Sequence, residues 1–216
     1  MQRAIDFYYD LISPFAHVAL ARLKQFPEAY EIRPVPVLLG AILGHWGQKG
    51  PAEISAKRLH TYRLACFLAE QAGLAMRFPP RHPFNPLGAL RLLAGANDGA
   101  GADLATVRKA FEFIFEHGRA PDEASELAAF AEWIDVPVAL ASDEAAKARL
   151  RANTEQAISA GVFGVPAFVP AGDHAPVFWG VDSMPMLQAW LEDDDLFARP
   201  PYAALEQVRI GIERKV

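Results

Sequence analysis

The first 39 residues alternate between apolar strand-like runs and one helix-like run. Ala4–Asp10 is rich in β-branched and aromatic residues, which predicts a buried strand. From Pro14 to Phe26 apolar residues recur every three or four positions, which predicts an amphipathic helix that ends at Pro27. Tyr30–Leu39 then predicts a second strand, and its two prolines indicate an edge or irregular strand. The segment therefore predicts a β-α-β unit.

The middle of the chain has only helical periodicity. Gly and Pro separate the predicted helices, which are Ala52–Gln71, Leu87–Ala96, Leu104–Glu116, Asp122–Ile134 and Asp143–Ala160. The proline-rich run 78–86 is incompatible with regular structure, so we expect an extended connection there and a candidate pocket wall. Together these patterns predict an all-helical subdomain.

Strand signals return after Gly161. Ala167–Val169 and Val177–Trp179 predict a hairpin with its turn at residues 172–173, and a helix follows over Ser183–Leu191. The order β-α-β, helices, β-β-α predicts an α/β domain interrupted by a helical insertion. We place the α/β domain at residues 1–39 plus 154–216 and the insertion at 40–153.

Charge and composition exclude two classes of partner. The formal net charge of −5 and the pI near 5.7 argue against nucleic acid, which requires a concentrated basic face. The first residues lack the uncharged apolar core of a signal peptide, and no apolar run approaches the roughly 20 residues that span a bilayer. We therefore expect no membrane partner and a cytoplasmic location.

The chain has one cysteine, Cys66, so it can form neither an intrachain disulfide nor a Cys-x-x-Cys redox pair. Cys66 lies among apolar residues of a predicted helix, which favours a buried structural thiol over a nucleophile. The six histidines show no paired spacing typical of a metal site, and we predict no metal. Any thiol chemistry would therefore use a sulfur from another molecule.

Ser13 stands where the first strand turns into the first helix, with Pro14 at the first helical position. The free N–H groups and the dipole of a helix N-terminus lower the pKa of a thiolate placed there, and a serine hydroxyl can donate a hydrogen bond to it. A plain helix cap accounts for the same serine equally well.

A second candidate segment is Gly161–Val169, where a glycine-containing turn enters a strand through Val165-Pro166. If Pro166 is cis, the backbone of Val165 faces outward and can pair with an extended peptide. The alternative is a trans proline at a strand entry, which base rates favour.

A third candidate is the segment 179–184 at the start of the last helix. Its free N–H groups suit a carboxylate, and Asp182 suits an ammonium group. An ordinary Asp or Ser cap explains the same residues.

Taken together, Ile5–Leu23, Gly161–Val169 and Phe178–Leu187 resemble the 2-hydroxychromene-2-carboxylate isomerase family and its kappa-class glutathione transferase relatives. The resemblance spans nearly the whole chain. It implies a thioredoxin-like domain with a helical insertion, commonly in a homodimer, in which Ser13 activates glutathione. It also implies that Val165, ahead of a cis Pro166, pairs with the cysteinyl backbone of glutathione.

The resemblance further assigns the γ-glutamyl end of glutathione to Asp182 and the neighbouring Ser183, and it matches a lysine of the family to Lys57. Gln48 stands where asparagine is usual in the family, Val181 where a small or polar residue is usual, and Ser183 where arginine is usual. At these three positions the chain departs from the family pattern of glutathione-binding residues, which counts against glutathione binding.

The implied reaction is isomerisation of a small aromatic substrate by reversible addition of the glutathione thiolate. Aromatic residues are expected to wall the flat substrate, with four examples: Phe15, Trp46, Phe84 and Trp179. Two alternatives stay open, a kappa-like transferase that conjugates glutathione to an electrophile and a noncatalytic binding module. A dithiol oxidoreductase is excluded, because residue 13 is serine and no second cysteine is present.

Overall fold

A computed structural model of the chain describes residues 3–26 and 29–212. Four strands form one mixed sheet in the order β2-β1-β3-β4: β1 (Arg3–Tyr9), β2 (Tyr30–Pro36), β3 (Ala167–Pro170) and β4 (Phe178–Trp179). β2 runs parallel to β1, whereas β3 is antiparallel to both β1 and β4. The proline-containing β2 is an edge strand, as its sequence predicts.

Eight α-helices lie within the described residues: α1 (Pro14–Arg22), α2 (Leu39–His45), α3 (Ser55–Gln71), α4 (Leu87–Gly95), α5 (Leu104–Phe115), α6 (Ala124–Ile134), α7 (Glu144–Ser159) and α8 (Met184–Glu192). Short 3₁₀ turns add to them at Leu23–Gln25, Pro51–Glu53, Asn97–Gly99, Val138–Ala141, Leu196–Ala198 and Tyr202–Gln207. None of the described helices has the length and apolar character needed to cross a membrane.

The predicted strands and all the predicted helices are present, with small changes at their ends. The first helix stops at Arg22 and continues as a 3₁₀ turn to Gln25. Its predicted stop, Pro27, lies outside the described residues. The run 78–86 contains no helix or strand, as predicted.

The helix α2 has no counterpart in the sequence analysis. It is short and contains two glycines, so its local helix propensity is low. Its N-terminal donors are bonded by side chains far away in sequence: Leu38 N–H by Thr154 Oγ1 and Leu39 N–H by Asp10 Oδ2. Because the capping groups come from other elements, the local pattern does not reveal this helix.

Strand β1 is buried on both of its faces. Ile5, Phe7 and Tyr9 point into the large core that also contains residues of the insertion helices, and the ring of Phe7 stacks on Phe168 at 5.1 Å. Tyr8 points to the opposite face, where a smaller core includes Ala157 of α7. This two-sided burial explains why β1 reads as a continuous apolar run.

The insertion helices share the large core with the sheet. Phe111 of α5 packs against Tyr9 of β1 at 5.8 Å between ring centroids. On the other face, Asn153 of α7 donates to the carbonyl of Pro36 at the end of β2. The predicted boundary at 153/154 falls inside α7, and the division into 1–39 plus 154–216 and 40–153 stays a prediction.

The prediction that Cys66 is buried is wrong, because the structure places it on the exposed side of α3. Only Ala65 and Ala69 of this helix are buried. The larger apolar residues Leu59 and Phe67 are 55% and 53% exposed, on the side of α3 that faces away from the core. The apolar residues of α3 lie on more than one side of the helix, so their periodicity did not identify the buried face.

Asp10 fixes the loop between β1 and α1 from inside the protein. Its side chain is fully buried and accepts hydrogen bonds from Ile12 N–H at 3.1 Å and Leu39 N–H at 2.8 Å. Burial raises the pKa of this carboxyl from 3.8 to about 7, against the opposing effect of the backbone N–H groups. The carboxyl thereby joins the start of α1 to the start of α2.

We expect the stability that Asp10 contributes to depend on pH. Because its pKa is raised in the folded state, that contribution is complete below about pH 4 and is lost as the pH rises through about 7. The difference in unfolding free energy between the native protein and Asp10→Asn, measured by urea denaturation, should therefore fall by about 1–4 kcal/mol over this range. A difference that stays flat from pH 4 to 8 would contradict the assignment.

Candidate functional site

Ser13 sits at the junction of β1 and α1, where it caps the helix. Its backbone is extended, and its Oγ accepts a hydrogen bond from Ala16 N–H at 3.3 Å. Pro14 occupies the first helical position, so the predicted pair of cap and proline is confirmed. The side chain is 5% exposed, which places the hydroxyl at the rim of the helix N-terminus and shields it from bulk water.

The same hydroxyl meets the backbone of Val165, 152 residues further along the chain. Ser13 Oγ lies 3.4 Å from the carbonyl oxygen of Val165, and the Val165–Pro166 peptide bond is cis. An O–H···O hydrogen bond is normally 2.5–3.0 Å long, so this contact is weak. The hydroxyl hydrogen can therefore turn toward a better acceptor at little cost.

A chain of hydrogen bonds links Val165-Pro166 to the start of α8. Gly180 N–H donates to the carbonyl of Pro166 at 2.8 Å, and Ser183 Oγ donates to the carbonyl of Gly180 at 3.0 Å. Ser183 thus makes no capping bond to α8, contrary to the ordinary cap considered for it. Asp182, in the same turn, is exposed, and its contribution to a ligand site stays a prediction.

Gln48 and Lys57 lie on the segment that leads from α2 into α3. Both are exposed; Gln48 stands in the turn after α2, and Lys57 is in the first turn of α3. The nearby Trp46 ties this segment to the Val165 turn, because its indole Nε1 donates to the carbonyl of Val162 at 3.0 Å. The contribution of Gln48 and Lys57 to a ligand site stays a prediction.

Two tryptophans flank the turn that carries Val165. Trp46 is 45% exposed and Trp179 is 50% exposed. The ring of Trp179 packs against Phe163 at 5.2 Å, and a Cβ on Gly164 would come within 2.6 Å of the indole Nε1 of Trp179. Only glycine therefore allows Trp179 to lie across this turn.

Two of the four aromatic residues expected to line the substrate site pack against the core instead of standing exposed beside the Val165 turn. Phe84 is 6% exposed and belongs to the large core, and Phe15 is partly buried against that core. The structure thus brings Trp46 and Trp179 to the Val165 turn and uses Phe84 for packing.

Two titratable groups at the site, the buried Asp10 and the partly buried His82, were not identified as functional from the sequence. Asp10 bonds the N–H of Ile12, and His82 Nε2 lies 2.7 Å from the carbonyl oxygen of the same residue. Both backbone polar groups of Ile12, the residue immediately before Ser13, are therefore hydrogen-bonded to side chains. The only sequence signal for His82 was its place in the irregular run 78–86, which was predicted to line a pocket. No such signal in the sequence pointed to Asp10.

Two further observations on the described residues concern metal-type clusters and a cavity in the insertion. No group of three or more His, Cys, Asp or Glu side chains is arranged to hold a metal ion among the residues described. A cavity of about 580 Å³ opens within the insertion, lined by residues that include Asn97, Asp135 and Arg149. It shares no residue with the predicted site.

Comparisons with known proteins agree with this architecture. A family model described as DSBA-like thioredoxin domain matches residues 4–192. A 2-hydroxychromene-2-carboxylate isomerase of Sphingobium xenophagum is 27% identical over 202 residues, which are 89% of this chain and 100% of that protein. Glutathione S-transferase kappa 1 of Caenorhabditis elegans is 33% identical over 58 residues, 26% of each chain.

Among solved structures, a 2-hydroxychromene-2-carboxylate isomerase superposes with a TM-score of 0.74 at 26% identity, over 88% of this chain and 94% of the other. The predicted thioredoxin-like fold with helices inserted between its strands is thereby confirmed, as is the resemblance to this isomerase group. Because the family model covers most of its length, the chain belongs to the family of DSBA-like thioredoxin domains.

Proposed function

We propose that this protein is a glutathione-dependent isomerase of a small, flat aromatic substrate of the hydroxychromene-carboxylate type. Relatives of that name match nearly the whole chain, and the kappa transferase relative points to glutathione. The observation that carries the proposal is the position of Ser13 Oγ, at a helix N-terminus and 3.4 Å from the Val165 carbonyl. The proposed enzyme works in the cytoplasm, which supplies reduced glutathione.

The residues at this position suit glutathione chemically. An anionic sulfur is stabilised at the N-terminus of α1, where the helix dipole and a hydroxyl donor coincide. The exposed carboxylate of Asp182 suits the α-ammonium group, and the Ser183 turn and the Lys57 ammonium suit carboxylates. The backbone of Val165 would pair with the cysteinyl residue.

When bound, glutathione would supply a nucleophilic sulfur that makes a conjugated double bond of the substrate temporarily rotatable. Ser13 Oγ accepts from Ala16 N–H, which leaves its own hydrogen to donate toward the sulfur. Trp46 and Trp179 would hold the flat substrate beside the Val165 turn. The buried position of Ser13 limits competition from water for the same hydrogen bond.

A transferase is the second candidate, because a kappa-class relative matches part of the chain. It requires the same activation of glutathione by Ser13 but a different second substrate. Conjugation of 1-chloro-2,4-dinitrobenzene without isomerase activity would favour it. Calorimetry that shows no glutathione binding at millimolar concentration would instead favour a noncatalytic module.

We expect Ser13→Ala to lose the bound thiolate. In the native protein, ultraviolet absorbance during a glutathione titration should give a thiolate pKa below the ordinary cysteine value of about 8.5. In Ser13→Ala the thiolate pKa should rise toward that value, and kcat should fall on the order of 100-fold, since one donor to a developing charge is removed.

Ser142→Ala is the matched control for this experiment. Ser142 Oγ also donates to a backbone carbonyl near a helix end, that of Ala139 at 3.1 Å, but within the insertion. The control should keep the native thiolate signal. Absence of a thiolate signal in both the native protein and Ser13→Ala would contradict the proposed function.

We expect the two tryptophans beside Val165 to set affinity for the aromatic substrate. Trp46→Ala and Trp179→Ala should each raise KM for it by about 5-fold to 30-fold, the equivalent of about 1–2 kcal/mol of lost stacking and burial, and change the thiolate pKa little. Trp133→Ala is the matched control, because Trp133 is 39% exposed and its Nε1 also donates to a backbone carbonyl, that of Lys109. Equal effects of all three substitutions would contradict the assignment.

We propose in addition that the protein is a homodimer and that the outward side of α3 contributes to its interface. Leu59 and Phe67 expose large apolar side chains there, and such patches commonly mark association surfaces. Phe67→Glu should weaken the dimer, which sedimentation velocity would detect as a shift toward the monomer. Val138→Glu, at an apolar residue of similar exposure, should not. A native protein that sediments as a monomer at micromolar concentration would contradict this proposal.

A further inference from the structure

The loop before Ser13 is held by a histidine from the helical insertion. His82 Nε2 lies 2.7 Å from the carbonyl oxygen of Ile12, which is the carbonyl of the peptide bond to Ser13. On the other side of the ring, Nδ1 lies 2.9 Å from the hydroxyl of Tyr62 on α3. A continuous path of polar contacts therefore runs from α3 through His82 to the peptide that carries Ser13.

The chemistry of these contacts assigns the protons of the ring. A carbonyl oxygen can only accept, so Nε2 carries a hydrogen and donates to Ile12. Burial lowers the pKa of His82 from 6.5, against the opposing effect of the bond to Ile12. The ring is therefore neutral at pH 7 and Nδ1 carries no hydrogen. The Tyr62 hydroxyl donates its one hydrogen to the His82 carbonyl oxygen at 2.8 Å and also lies 2.9 Å from Nδ1, so these two acceptors share it.

Aromatic side chains fix the orientation of the ring. Tyr62 and Phe78 meet it edge-on, with ring centroids at 5.2 and 5.3 Å. Phe84 and Phe115 contact it at 6.4 and 6.1 Å. A ring packed in this way has little freedom to rotate, so Nε2 stays directed at Ile12.

We propose that His82, supported by Tyr62, is a positioning residue for Ser13, an inference that rests on the proposed function. It holds the Ile12 carbonyl, which fixes the peptide plane before Ser13 and so the direction in which the Ser13 hydroxyl projects toward Val165. Asp10 holds the N–H of the same residue, so the loop has one anchor in the sheet domain and one from the insertion. The insertion thereby influences the sulfur site without contacting the ligand.

The test compares variants that keep or remove the donor to Ile12. His82→Leu removes this donor. The glutamine of His82→Gln is longer than leucine and can place an amide N–H near the position of Nε2. Tyr62→Phe removes only the hydroxyl behind the ring. His117→Leu is the control, because His117 packs edge-on against Trp133 at 5.0 Å and lies outside the site.

Three measurements are made on each variant: the thiolate pKa of bound glutathione, kcat and KM for the isomerisation, and hydrogen exchange of the Ser13 amide. That amide donates to the Asp10 carbonyl at 3.0 Å, so its exchange rate reports directly on the loop. Exchange of the Phe7 amide in β1 reports on general destabilisation, which is subtracted.

In His82→Leu we expect kcat to fall about 10-fold to 100-fold with KM for the substrate changed less than 3-fold, since a misplaced group affects the reacting geometry most. Ser13 amide exchange should accelerate at least 10-fold relative to Phe7. His82→Gln should restore most of kcat and most of the protection of the Ser13 amide. Tyr62→Phe should give values between those of His82→Leu and the native protein, and His117→Leu should match the native protein.

The failure of this proposal differs from the failure of the proposed function. If the native protein forms the thiolate and His82→Leu forms it with the same pKa and kcat, His82 is not a positioning residue and the proposed function stands. If the native protein forms no thiolate, the proposed function fails, and Ser13 exchange decides whether His82 positions the loop. Equal Ser13 exchange in His82→Leu and His82→Gln overturns the inference in either case.

Discussion

The hydroxyl of Ser13 and the carbonyl of Val165 meet at 3.4 Å across 152 positions of sequence, and the organisation of the site follows from this contact. One group belongs to the N-terminus of the first helix and the other to the entry of the third strand. They meet because β1 pairs with β3 in the centre of the sheet, which aligns the loop after β1 with the loop before β3. The proposed chemistry requires a hydroxyl hydrogen that is only weakly committed, and this long contact provides it.

The burial of the surrounding loop makes that contact possible. Asp10 has no access to water, so its carboxyl accepts hydrogen bonds from backbone N–H groups at the starts of two helices instead. The cost of that burial appears as a raised pKa for Asp10. A loop held in this way can keep Ser13 in one orientation, as a preorganised donor requires.

The helical insertion serves the site in two ways. Its helices complete the core around β1, where Phe111 packs on Tyr9, and the segment 78–86 brings His82 to the loop before Ser13. In a thioredoxin-like domain without a cysteine pair, the reactive sulfur must come from a bound molecule under the proposed function. The one cysteine of the chain, exposed on α3, belongs to neither the core nor the site.

Much of the fold was determined by the sequence alone, because the relevant interactions are local. The apolar run of β1 spans seven consecutive residues and the Ser13-Pro14 cap spans four, and such patterns are visible along the chain. The resemblance to known isomerases rested on the same local motifs. It pointed to Ser13 and Val165, whose contact depends on the tertiary structure.

The tertiary structure alone decided which surfaces face each other. Helix α3 carries apolar residues on more than one of its sides, so only its neighbours determine that Ala65 is buried and Cys66 exposed. Helix α2 depends on hydrogen-bond acceptors from Asp10 and Thr154, and His82 contacts a carbonyl oxygen 70 residues away. Burial and hydrogen bonding between distant segments are properties of the packed chain, and a sequence pattern that extends over one or two turns does not contain them.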